Sequence, residues 1–159
     1  MAINPVDKVN DNSNFVRVKG KTEIVEVLFS ASVAIEEGSV VYPNPAAAGQ
    51  YTKADSTAWE NFGVIRQTIA STDSDYASTK IVKIEVPRDN NVEWKFVVGA
   101  GTFTQADEWK YADLNNEKTV AVDTSTKGHL LITKYVSATE WRCIFAGNVW
   151  AGKALPATT

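Results

Sequence analysis

Histidine and cysteine occur once each in this chain of 159 residues, as His129 and Cys143. Zinc takes several such ligands from one site, so a zinc centre is excluded, and Cys143 has no second cysteine for an intrachain disulfide. Long apolar runs are also missing. No stretch approaches the roughly 18 consecutive apolar residues of a membrane-spanning helix, and the N-terminal MAINPVDKVNDNSNF lacks the apolar core of a signal peptide. No Asn-x-Ser/Thr acceptor is present. These absences lead us to expect a soluble product of the cytoplasm. Charge of one sign is never concentrated: 16 Lys and Arg face 19 Asp and Glu, a net charge of −3. Nucleic acid is thereby disfavoured as a partner, because binding it takes a dense basic face, and the lack of an apolar span leads us to expect no membrane partner.

What is present is an ordinary globular balance, 44% hydrophobic and 22% charged, enough for one packed domain. The period of its apolar residues is two. In NVEWKFVV, Val92, Trp94, Phe96 and Val98 share a face; in KIVKIEV, Val82, Ile84 and Val86 lie opposite Ile81, Lys83 and Glu85; in EWRCIFAG, Trp141, Cys143 and Phe145 fall together. FVRVKG, TEIVEVLFS, SVVY, GVIRQTIA, KTVAVD and HLLITKY add further β-rich runs bounded by turn residues. The pattern predicts an all-β fold, an antiparallel barrel or sandwich of about nine or ten short strands. Helical signals are confined to TFTQADEWKYADLNN, with a Thr104 cap and Asp107 three residues on, and to one turn in STAWENF. We expect an extended arm over residues 1–14, a single β-domain over 15–151 with a loop or seam at 70–80, and a tail over 152–159.

Groups able to do acid, base or nucleophilic work are scarce. His129 follows Gly128 at the head of a strand with no spacing that pairs it to a nucleophile, and Cys143 alternates with aromatics as a buried residue does. Asp73 and Asp75 lack the mid-loop Gly and closing Glu of a calcium loop. Glu36, Glu37, Asp107, Glu108 and Asp113 are the acidic residues nearest aromatics, but nothing places two of them across one sugar. Gly99 to Phe103 lacks the spacing of a phosphate loop. The expectation is a non-enzyme without cofactor or metal.

Five tryptophans stand out. Trp94 and Trp141 fit strand cores, whereas Trp59, Trp109 and Trp150 sit in loop or terminal contexts, as barrel-end plugs, protein-interface anchors or a sugar platform. The corner at Pro43 and Pro45, followed by three alanines, Gly49 and Tyr51, has no catalytic group and is read as a rigid barrel rim.

Two blocks, FSASVAIEEGSVVYPNPAAAGQYTKADSTAWENFGVIRQTIAST and WKYADLNNEKTVAVDTSTKGHLLITKYVSATEWRCIFAG, together resemble head decoration and auxiliary capsid proteins of tailed bacteriophages. The shared elements are glycine placement, small residues and strand pattern, over about half of the chain. The resemblance implies a virion protein that binds and stabilises the assembled capsid shell. It also implies the major capsid protein as partner, a homo-oligomer with a trimer favoured, and a place on the capsid surface after synthesis in the bacterial host. The contacts expected for it are Pro5, Val6, Phe15, Pro43, Pro45, Tyr51, Trp59, Trp109 and Trp150. A carbohydrate- or cell-surface-binding β-module of a phage fibre or tail tip is the alternative.

Overall fold

A computed structural model of the chain describes residues 15–89, 91–121, 127–137 and 140–146. Eleven strands follow one another: β1 (Val16–Lys19), β2 (Thr22–Phe29), β3 (Val40–Pro43), β4 (Gln50–Lys53), β5 (Gly63–Ile65), β6 (Lys80–Pro87), β7 (Glu93–Ala100), β8 (Tyr111–Leu114), β9 (Thr119–Ala121), β10 (Leu130–Ser137) and β11 (Glu140–Phe145). The fold is all-β, as the period-two pattern requires. The strongest alternations bury the faces they predict: Val82, Ile84 and Val86 on β6, Trp94 and Phe96 on β7, Trp141, Cys143 and Phe145 on β11.

Strands β2-β4-β3-β5-β6 close into a barrel in which only β2 and β4 run parallel. The other sheet has the order β1-β7-β11-β10-β8-β9, and β9 also pairs in parallel with the second half of β7. Its strands β7-β9-β8-β10-β11 therefore come round on themselves as well. The two rings have the same strand order, the same single parallel pair and the same register. Phe29 beside Tyr51 corresponds to Val98 beside Val120, and Pro43 opposite Tyr51 to Leu114 opposite Val120. Val41 opposite Gly63 corresponds to Ala112 opposite Leu130, and Ile65 opposite Ile84 to Ile132 opposite Cys143. The two rings repeat one five-stranded arrangement, with β1 added to the edge of the second.

Two cores follow from this arrangement. Phe29, Ile35, Val41, Ile65, Ile69, Val82, Ile84 and Val86 fill the first ring. The opposite faces of β3 and β5, carrying Val40, Tyr42 and Val64, pack with Phe62 against Trp94, Phe96, Leu114, Leu130 and Phe145 of the second. Strands β3 and β5 are thus buried on both faces, the physical reason SVVY and GVI read as unbroken apolar runs.

Several expectations need correction. The window around Thr104 holds one 3-10 turn, Gln105–Asp107, whose capping box is the predicted Thr104/Asp107 pair. Of the short helix and the structured loop that this window allowed, the turn ends where Trp109 takes φ +66, and the residues after it become β8. STAWENF forms a turn rather than a helical turn, and Gln50–Lys53, which is not among the β-rich runs above, is β4. Residues 70–80 join two strands of the first ring, so the rings meet elsewhere, across β3 and β5. Phe15, expected at an interface, is fully buried: its ring stacks at 6.2 Å on Phe96 and 5.6 Å on Phe145. The arm over 1–14 with Pro5 and Val6, the tail over 152–159 and Trp150 lie outside the described residues.

Candidate interface

The groups with chemical potential are built into the fold. His129 is buried between the rings, where its Nδ1 accepts from the Leu114 N–H at 2.8 Å and its Nε2 lies 2.6 Å from the Ala58 carbonyl. An acceptor at Nδ1 fixes the proton on Nε2, which donates to Ala58, so the ring is neutral. Burial, the largest influence, lowers its pKa; the Ala58 bond and the nearby Asp113 oppose this without reversing it. The His129 ring thus pins the loop after β4 to β8. Burial pushes the Cys143 thiol well above its ordinary range and leaves it without thiolate character.

The acidic residues are occupied separately. Asp113 accepts from the Lys127 and Gly128 amides at 3.0 and 2.6 Å. Asp107 caps the turn at Thr104, Glu108 accepts from the Tyr135 amide at 3.0 Å, and Glu36 pairs with Lys118 at 2.7 Å. Asp73 accepts from the Ala70 amide at 2.9 Å, and Asp75 pairs with Lys80 at 2.8 Å. Among the described residues no group of three His, Cys, Asp or Glu converges as a metal site requires. An open groove of about 360 Å³ runs between Ala34–Glu36, Thr68–Ser71 and Lys118, crossed by the Glu36–Lys118 pair.

Glu85 is a buried charge held by two arginines. Its carboxylate accepts from the Thr22 hydroxyl at 2.6 Å, from Arg17 Nε at 3.1 Å and from Arg66 Nε at 2.8 Å. Burial by itself raises its pKa, but Arg66, Thr22 and Arg17 together outweigh it and hold the carboxyl below its ordinary value. The arrangement joins β1, β2, β5's exit and β6.

The proline corner is tied down at each end. Pro43 closes β3 opposite Tyr51, the Asn44 amide donates to the Gln50 carbonyl at 2.8 Å, and Asn44 Oδ1 takes the Ala46 amide at 2.9 Å. Asn44 Nδ2 donates to Ser30 Oγ at 2.8 Å, which fastens the corner to the end of β2. Pro45, Ala46, Ala48 and Gly49 are left exposed on this rigid support, while Tyr51 is half-buried against the first core.

Of the aromatic candidates, Trp59 is 45% and Trp109 68% exposed. Trp59 follows a loop held by Asp55, which takes the Thr57 amide at 2.7 Å, and by the Ala58–His129 contact. Trp109 donates its backbone amide to the Ile132 carbonyl at 2.7 Å, so its indole also projects from a fixed main chain. No ring contact joins Trp59 to Trp109 among the described residues. The sequence reading missed Tyr111, Ile24 and Ile81, all large, apolar and exposed. The signal for Ile81 was present: alternation in KIVKIEV puts it with Lys83 and Glu85 on the outer face.

No known protein family matches the chain, and a search of curated proteins returns no relative.

Proposed function

We propose that the chain is a non-enzymatic structural protein of a phage particle, which attaches to the assembled capsid shell and stabilises it through the major capsid protein. The observation that carries a structural role is the division of labour among side chains. His129, Glu85, Asp113 and Cys143 are consumed by folding, whereas Trp59, Trp109 and the Pro45 corner project from hydrogen-bonded backbone. Anchors presented on ordered backbone lose little entropy on docking, which favours an interface over a reaction. The assignment to a capsid rests on the resemblance of residues 29–72 and 109–147 to decoration proteins.

Shell binding by the purified chain tests it, with cosedimentation of expanded, undecorated capsids as the measurement. Trp59→Ala together with Trp109→Ala is expected to keep the thermal midpoint and to weaken occupancy about tenfold or more, the scale of a lost anchor. Deletion of residues 2–14 is expected to weaken attachment while leaving the domain folded. Binding to a glycan array with no affinity for shells would replace this reading by the carbohydrate-binding one, for which two exposed indoles are the favouring observation.

A further inference from the structure

Among the described residues, one edge of the first ring lacks the strand that its counterpart in the second ring has. In the second ring, β9 covers only the second half of one edge of β7; the first half is covered by β1, with Val16 opposite Lys95 and Lys19 opposite Glu93. In the first ring, β4 pairs with β2 only at Leu28 and Phe29. No strand of the described residues pairs with the rest of that edge. Register equates Lys95 with Glu26 and Glu93 with Ile24, so the open stretch of β2 corresponds to the stretch of β7 that β1 fills.

The backbone of that stretch is oriented for pairing. The Ser30 amide donates to the Tyr51 carbonyl of β4, and β2 matches β6 over eight consecutive pairs without a bulge. Strand alternation then turns Glu26 and Ile24 to the same side as Ser30, away from β6, with their N–H and C=O groups unpaired by it. Burial differs at the matched positions: Trp94 and Phe96 are fully buried, Trp94 against Phe145 and Phe96 against Phe15 and Phe103, while Val25 and Val27 are only half-buried. Beside them, Ile24 is 50% and Ile81 59% exposed. The stretch carries no Pro, Lys or bulge; its charges are Glu23, paired with Arg88 at 2.7 Å, and Glu26, opposite Lys83.

We propose that this edge is an interaction surface for a second copy of the chain, whose β2 adds antiparallel to β2 across a two-fold axis centred on Val25. The occupant is fixed by register. An antiparallel two-fold centred there sets Ile24 of one copy opposite Glu26 of the other, and these are the two residues whose backbone groups face outward. On the outer face Glu26 then lies between Ile24 of the neighbour and Lys83 of its own β6, so no like charges meet. Val25 meets Val25, and the half-buried Val25 and Val27 lose exposure against the neighbouring copy. Contacts of this closed two-fold kind are the commonest in homo-oligomers, and added strands are a common mode of recognition. The contact involves neither Trp59 nor Trp109 and is separate from any attachment to a shell.

Val25→Cys in the full-length chain tests the geometry, because Cys143 is buried and does not compete. Under mild oxidation the variant is expected to run as a disulfide-linked pair on non-reducing gels, a readout insensitive to association through other surfaces. Hydrogen exchange on the unmodified protein is the second measurement: the Ile24 and Glu26 amides are expected to slow about tenfold or more as concentration rises through the dimerisation range. Glu26→Pro, which removes an outward donor without touching the β6 ladder, is expected to abolish that slowing. Unprotected Ile24 and Glu26 amides at every concentration, with no linked pair, would overturn the proposal. Protection lost on deleting residues 1–14 would also overturn it, by assigning the edge to the N-terminal segment.

Discussion

His129 and Glu85 carry opposite lessons about buried polar side chains. His129 holds its place as a neutral ring, so in acid the unfolded chain binds a proton that the folded chain resists. Its contribution to stability is complete above its ordinary pKa of 6.5 and falls as pH drops below that value toward the lowered folded one. His129→Leu leaves the Leu114 amide and the Ala58 carbonyl unpaired and is expected to cost about 2–4 kcal/mol at pH 7.5. Urea denaturation at pH 7.5 and 5.0 measures both effects; the gap between wild type and variant should narrow at the lower pH. Glu85 is ionised and held down by its partners, so its contribution is complete above its ordinary value of 4.5 and is lost as pH falls through the depressed one. Glu85→Gln leaves the half-buried Arg66 without its anion, and a loss of about 2 kcal/mol in the same assay is expected.

Among the elements, the turn from β1 to β2 is the most constrained. Gly20 has φ +93, and a Cβ there falls 2.6 Å from the Val92 Cα, at the threshold of β7. Gly20→Ala meets both the left-handed backbone and main-chain overlap, and is expected to destabilise by about 3 kcal/mol or more. Gly49 in the proline corner has φ +79 but open space around it, so Gly49→Ala is expected to cost only about 1 kcal/mol. Thermal unfolding of the two variants in parallel measures the difference; equal losses would mean that the turn does not press on β7. The corner therefore tolerates changes in its exposed letters better than in the Asn44 bonds that hold it.

The whole molecule has two rings but one shared core. Phe62 lies between them, its ring 5.6 Å from His129 and 5.5 Å from Phe145, and Val40, Tyr42 and Val64 face the second ring from the first. A fragment ending near residue 88 would expose these side chains, each worth about 1.5–3 kcal/mol of burial. One cooperative calorimetric transition is expected for the chain, and no independent folding of the fragment. Phe62→Ala is expected to cost about 3–5 kcal/mol and to lower the exchange protection of β2–β6 and β7–β11 together. Two resolved transitions would contradict the shared core.

The sequence by itself determined the all-β class and the inward faces of β6, β7 and β11, because alternation is a local property of an extended chain. It also marked the Thr104–Asp107 cap and the burial of Cys143, which alternates with Trp141 and Phe145, but gave no sign that His129 is buried. It did not disclose the repeated arrangement: across the paired strands of the two rings, Ile65 and Ile132 are the rare identical match, and only the register repeats. Strand β4 was hidden because QYTK has a weak pattern, and β8 because YADL follows a helical cap; each is held by partners distant in the chain. Phe15 offered no sign of which way its ring points. Ring closure, the inward turn of Phe15 and the stretch of β2 at Ile24 and Glu26 that no described strand pairs on its outer edge were decided by tertiary structure, because strand pairing satisfies backbone groups through neighbours that no local stretch names.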